Sequence, residues 1–295
     1  MDSRAFIGLV STSDRHRFTL PVTTPICSAL QALFGGAGLG AAVLAMESAT
    51  GRRCVWASAQ YLSHALLGEI VDLEVVVPEH GRSMSQARAV GRVGDREVLT
   101  VNAALGDRDF DRSEVFATMP DVPGPDDCEI RELRGAREGT MGTMVEMRSA
   151  RARPWHEYDG TVSPDGRTAV WIAMRDPIAP LDAATLALYG DWIPVAVGAA
   201  LGSFAGGISI DNTIRLGEMP AATSPSSWVL LDFTVDQVSR GFAHGHCYMW
   251  SPEGTLLATA SQTCMVRYWN PDKKFLSPGE DVPTNIGPRA RAPRT

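Results

Sequence analysis

Tyr189-Gly190-Asp191-Trp192-Ile193-Pro194 begins a stretch that runs through an apolar helical segment and a Gly-rich turn into Ser209-Ile210-Asp211-Asn212. A carboxylate that opens a mostly apolar helix, followed by a hydroxyl on the next strand, is costly to bury and suits a general base with helpers. Working outward, the apolar pattern predicts a helix over 182–201, strand-like segments over 144–153 and 168–174 before it, and strands over 208–216, 228–235, 241–250 and 256–267 after it.

The same order of elements stands earlier in the chain. An extended segment over 18–27, whose prolines suit a sheet edge, leads to Ser28, a reasonable N-cap for one long Ala/Leu/Gly-rich helix over 29–50 that Gly51 stops. Strands follow over 55–62, 70–77, 83–93 and 98–105, separated by Gly68-Glu69, Glu79-His80-Gly81 and Gly94-Asp95. Arg92 to Thr100 lines up with Trp250 to Ala258, each a hairpin ahead of a final apolar strand, and Val71 to Val75 lines up with Trp228 to Asp232. The repeat rests on element order more than on shared letters. Between the copies, 107–139 shifts to Asp, Arg, Glu and Pro, which marks a linker ordered in part against the surface.

Composition narrows the function. At 295 residues the chain fits one large domain or two ordinary ones, and its net charge of -7 argues against a general nucleic-acid binder. The Arg289, Arg291 and Arg294 tail follows Pro-rich polar sequence and is expected to be disordered. Five scattered cysteines without CxxC spacing read as reduced thiols in a cytoplasmic protein. The first residues lack a signal-peptide pattern, and no apolar stretch is expected to span a bilayer uninterrupted by glycine or charge.

Two copies of a long apolar helix wrapped by an antiparallel meander describe an α+β tandem hotdog arrangement. Phe34-Gly35-Gly36, Asp191 near Pro194-Val195-Ala196, Ser209-Ile210-Asp211, and Ala260-Ser261-Gln262 through Met265-Val266-Arg267 follow the order and spacing of motifs in the TesB-like (type II) acyl-CoA thioesterases. The chain resembles that family from about residue 18 to 268. The resemblance implies a double hotdog, two long helices each wrapped by antiparallel strands that form one pseudo-dimeric sheet. It also implies hydrolysis of acyl-CoA to a free acid and CoA, without cofactor or metal. The expected organisation is an N-terminal hotdog over 1–106, the linker over 107–139, a C-terminal hotdog carrying the site over 140–270, and a Pro/Arg-rich tail over 271–295.

By the same resemblance, Asp191 is the general base, and Ser209 and Gln262 hold the water it activates. Ser209 stands where the family commonly has Thr, which keeps the hydroxyl and loosens its rotamer. The first helix has no acid near its start and Ala103 falls where Gln262 falls, so a single site is expected, with the first half supplying pocket walls. Backbone N–H groups of Gly35 or Gly36 are candidates for the oxyanion donor.

Plainer readings stand beside these. An isolated Asp191 would more often be a helix cap, and Ser209 or Gln262 alone ordinary strand residues. Asp211 and Asn212 are assigned supporting or structural parts. Gly36-Ala37-Gly38-Leu39-Gly40-Ala41 imitates a dinucleotide fingerprint, but no strand leads into it, and close helix-to-sheet packing is the better explanation. His244 and His246 share a strand face without a third ligand, so solvent-facing histidines are expected there. No GxSxG elbow occurs, and Asp191 lacks the His five residues on that hotdog hydratases resemble. Two alternatives stay open: a non-catalytic acyl-CoA or lipid-binding hotdog protein, and a hydrolase of another thioester such as a carrier-protein conjugate. Trp56, Trp192 and Phe204 are candidates to shorten the acyl tunnel, and the sheet edges leave homo-oligomer formation open.

Overall fold

The computed structural model describes residues 1–133, 135–219 and 228–268. The expected tail over 271–295 lies outside them. The first half begins with a short helix α1 (Ser3–Ile7) and strands β1 (Val10–Ser11) and β2 (Arg17–Pro21). It continues with the long helix α2 (Gly35–Thr50) and the meander β3 (Cys54–Tyr61), β4 (Ile70–His80), β5 (Met84–Val93) and β6 (Arg96–Gly106). After the connecting segment come β7 (Glu129–Ile130), α3 (Met141–Met144), β8 (Val145–Arg151) and β9 (Arg167–Met174). The second half closes with helices α4 (Ala183–Gly190) and α5 (Ile193–Leu201), then β10 (Ala205–Ser209), β11 (Asp211–Leu216), β12 (Val229–Ser239), β13 (Phe242–Trp250) and β14 (Leu256–Tyr268).

Among the described residues all strands join one sheet, in the order β1-β2-β4-β5-β6-β3-β11-β14-β13-β12-β9-β8-β7, with β10 also on β14. Reading outward from β3 and β11, the two halves repeat the same order. Thr213 pairs with Ser58 at the seam, and their hydroxyls meet at 2.7 Å. This is the double hotdog that the resemblance implies.

Two expectations about the helices are corrected. The first helix starts at Gly35 rather than at residue 29. Residues 28–33 instead fold into a tight turn, tied by bridges from Cys27 to Leu33 and Ala32 to Leu66. The helix expected over 182–201 is two helices. Pro194 has no N–H to give, and its ring would strike the carbonyl four residues back, so α4 stops at Gly190 and α5 restarts at Ile193. Ala183–Leu201 is long and apolar enough to cross a membrane by length and composition, but it is interrupted by Gly190, Asp191 and Gly198 and almost all of it is buried in this fold against α2 and the sheet.

The core lies between the helices and the inner face of the sheet. Leu39, Val43 and Met46 of α2 are fully buried, each contributing roughly 1.5–3 kcal/mol by leaving water. The small residues of α2 serve helix-to-helix contact more than helix-to-sheet packing. A Cβ at Gly36 would sit 2.8 Å from the Leu188 carbonyl oxygen, and one at Gly40 would sit 3.0 Å from that of Ala184. Close crossing of α2 and α4 is thus written in glycine. On the outer face of the second half, Trp171, Leu230 and Trp250 form a separate apolar cluster covered by Met119 and Val122, and the Trp171 indole donates to the Pro123 carbonyl at 2.8 Å.

Candidate active site

The helix break determines where the carboxylate goes. Asp191 is 4% exposed and follows the last residue of α4 with φ of -92° and ψ of 22°, outside helical geometry. It therefore closes one helix rather than opening the next. Its side chain reaches the first turn of α2, where the Gly36 N–H donates to Oδ2 at 2.8 Å. Phe34, at the N-cap of α2, supplies no side-chain acceptor, so Asp191 caps that helix from the other half of the molecule. The partial positive charge at the start of α2 favours the ionised carboxylate.

The strands deliver the other two groups to Oδ1. Ser209, the last residue of β10, donates its hydroxyl at 2.9 Å. Gln262 of β14 donates Nε2 to the same oxygen, and to Ser209 Oγ at 2.8 Å. Gln262 is 3% exposed on an inward position of its strand. The structure thus brings together Asp191, Ser209, Gln262 and Gly36. Asp211 accepts from the Thr263 N–H at 2.7 Å and braces the strand beside Ser209.

Burial lifts the Asp191 carboxyl from its ordinary 3.8 to about 6. The Ser209, Gln262 and Gly36 hydrogen bonds pull it down, and the nearby Asp211 charge adds to the rise. At neutral pH the group is mostly ionised, yet basic enough to take a proton from water.

A cavity of about 460 Å³ opens at this carboxylate between the halves, and its walls are mainly apolar. Asp191, Ser209, Gly35 and Trp192 line it, together with the turn over 28–34 and the end of β3. Gln262 and Gly36 lie behind this surface. The Gly36 amide is committed to Asp191, which corrects its candidacy as an oxyanion donor and leaves Gly35 at the cavity wall. A Cβ on Gly35 would come within 2.6 Å of Asp191 Oδ2 and 2.8 Å of Tyr61 Cζ, so the position admits only glycine without rearrangement. Phe34 and Trp192 pack with ring centroids 5.2 Å apart at the cavity wall. Trp56 and Phe204 are not among the lining residues, and Phe204 packs instead with Trp155 and Tyr158.

Tyr61 is a cavity residue that the sequence reading did not single out. It ends β3, and the fold brings it against Gly35 and within reach of the Asp191 charge. Among the described residues no cluster of three His, Cys, Asp or Glu could hold a metal ion. His244 bonds Thr263 at 3.1 Å and His246 bonds Asp236 at 3.0 Å, both toward solvent.

Comparisons with known proteins bear on the family and the fold. A family model described as the acyl-CoA thioesterase C-terminal domain matches residues 125–266. A protein from Novosphingobium aromaticivorans, described as a thioesterase, is 33% identical, with 87% of this chain and 97% of that one covered and a TM-score of 0.74. A hot dog fold protein from Alicyclobacillus acidocaldarius shares 22% identity over 90% of this chain and 97% of its own, with a TM-score of 0.78. The tesB protein of Mycobacterium avium subspecies paratuberculosis shares 19% over 90% and 97%, with a TM-score of 0.71. At these last two identities the likeness concerns the fold alone. No curated protein matches the sequence significantly.

Proposed function

Because the chain belongs to the TesB-like acyl-CoA thioesterases and is a thioester hydrolase, we propose that it cleaves acyl-CoA with a water activated by Asp191. The observation that carries this reading is one buried carboxylate, held by a hydroxyl, an amide and a helix N-terminus, facing an apolar cavity. A binding tunnel has no need of a buried acid, which is expensive to keep ionised.

Oδ1 already accepts from Ser209 and Gln262, whereas Oδ2 accepts only from Gly36 and retains a lone pair for the water. Ser209 Oγ donates to Asp191 and accepts from Gln262, which leaves it one lone pair to orient the same water. Asp191 takes the proton as the water oxygen attacks the thioester carbonyl carbon. The Gly35 N–H, at the positive end of α2, stabilises the oxyanion. Collapse of the tetrahedral intermediate breaks the carbon–sulfur bond, and protonated Asp191 returns its proton to the departing thiolate. The products are the free acid and CoA.

The test is thiol release from acyl-CoAs of increasing chain length by wild type and Asp191→Asn. Loss of about 10²–10⁴-fold in kcat with ligand binding retained is the expected result. Equal turnover in both proteins would remove Asp191 from the mechanism. Binding without turnover in either would make the chain an acyl-CoA-binding protein.

A further inference from the structure

Behind the reacting face of Asp191 lies a group of buried polar atoms that the mechanism does not use. Asn212 is 0% exposed, and neither its Oδ1 nor its Nδ2 meets a hydrogen-bond partner. Tyr61 Oη and Gln262 Oε1 are likewise buried without a well-formed partner, although Asn212 lies close enough to act on the Tyr61 hydroxyl as a hydrogen-bonding neighbour. The Tyr61 ring lines the cavity while its hydroxyl oxygen is shielded from it. Buried polar atoms in native proteins are nearly always satisfied by protein or by ordered water, so four such atoms beside one carboxylate call for a joint explanation.

The sheet register shows that they form one group. Asn212 pairs with Ala59, which shares a strand face with Tyr61 two residues on. Thr213 pairs with Ser261, so the next step along that register sets Asn212 beside Gln262. Two bare glycine positions wall the niche. A Cβ at Gly35 would meet Tyr61 Oη at 3.0 Å and Asp191 Oδ2 at 2.6 Å, and one at Gly190 would lie 3.8 Å from Asn212 Nδ2. Tyr61 Oη and Asp191 Oδ2 thus flank the same bare backbone.

We propose that Tyr61, Asn212 and Gln262 enclose a second polar site on the interior side of Asp191, which takes ordered water at Gln262 Oε1 and, through the Gln262 amide, positions the catalytic carboxylate. It rests on Asp191 being the base. Tyr61 is suited to the donor role, since burial and the Asp191 charge hold its phenol well above the ordinary range and keep it protonated. Asn212 can both donate and accept, so it can complete a chain that a leucine of similar size would break. Tyr61 and Asn212 are positioning residues that act through the carboxylate.

The experiment pairs kinetics with direct titration of the Asp191 carboxyl by 13C NMR in Tyr61→Phe, Asn212→Leu and the double variant. Among the described residues the titratable groups that act on Asp191 or feel its charge are Asp211 on β11, Tyr61 on β3 and Cys264 on β14, and the first and last are untouched by these changes. In Tyr61→Phe, loosening of the Gln262 amide that donates to the ionised form should shift the Asp191 titration and the acid limb of the rate profile upward. It should also cut kcat by about ten-fold or more with KM little changed. The double variant should be no worse than either single one, because both break one chain. An unmoved titration and acid limb in Tyr61→Phe, with any loss confined to thermal stability, would overturn the proposal. If Asn212→Leu fails to fold, Tyr61→Phe decides alone, since it keeps the ring. The titration needs no substrate, so its result stands apart from whether acyl-CoA is the substrate.

Discussion

The first and second halves present equivalent positions to their helices and fill them with opposite chemistry. Eight residues into α4 and its extension stands Asp191, whereas eight residues into α2 stands Val43, fully buried. Gln262 pairs with Gly245 on the neighbouring strand, and its counterpart Ala103 pairs with Ala87. Two residues further along, Cys264 pairs with Ser209 and Leu105 pairs with Cys54. The acid, amide and hydroxyl of one half thus answer to valine, alanine and a cysteine whose thiol burial pushes up to about 12. The helix starts differ as well. Asp182 caps α4 locally through the Thr185 N–H at 2.8 Å, whereas α2 has no local cap and borrows Asp191. The halves are therefore not a working copy and a spare. One brings the buried acid, and the other brings the helix terminus and the glycine that lie against it.

The largest expected effect tests that shared seam. Gly35→Ala should lower kcat/KM by about 100-fold or more, because the new Cβ collides with Oδ2 and Tyr61. Ala183→Gly, at the matching start of α4, should leave the rate unchanged in the same thiol-release assay. If Gly35→Ala retained full activity, the first half would be reduced to a wall.

Next in size is the response to acid. With the Asp191 carboxyl at about 6, kcat/KM should fall roughly ten-fold per pH unit below that value and level off above it. The same rise makes a stability statement. Between about pH 4 and 6 the folded protein holds a proton that the unfolded chain has released, so this group's contribution is full at low pH and is lost as pH rises through about 6. Thermal melts across that range should show the slope in wild type and a flatter one in Asp191→Asn.

The smallest effect concerns the silent half. Ala103→Gln should cost about 1–3 kcal/mol in denaturant unfolding through overpacking, and should leave kcat unchanged. A gain of activity there would mean that an amide alone can revive the first half, against the view that Val43 and Cys54 exclude chemistry.

Part of this site could be read directly from residues. Asp191 stands out because an acid in apolar sequence is costly to bury, whereas Ser209 and Gln262, ordinary strand residues by themselves, were assigned through the family resemblance. Pro194 was visible too, and read for its missing N–H it marks the helix break that aims Asp191. Residues 28–33 misled because Ala and Leu favour helix, while the bridges that fold them into a turn join Cys27 to Leu33 and Ala32 to Leu66, a contact that local propensity does not register. Tyr61 gave no signal, since a tyrosine at a strand position is ordinary until Gly35 comes against it, whereas Asn212 was read as a supporting or structural residue with nothing local to show what it faces.

The sequence by itself determined the order of elements, the doubling of the hotdog and the asymmetry of the polar residues, because hydrophobic periodicity and residue chemistry are local properties. Only the tertiary structure decided that Asp191 caps the opposite half's helix, that the Gly36 amide is committed to it, and that Tyr61 faces the same carboxylate. Those contacts join residues more than a hundred positions apart or across strands, and their geometry is set by the crossing of α2 and α4 and by the sheet register rather than by neighbours along the chain.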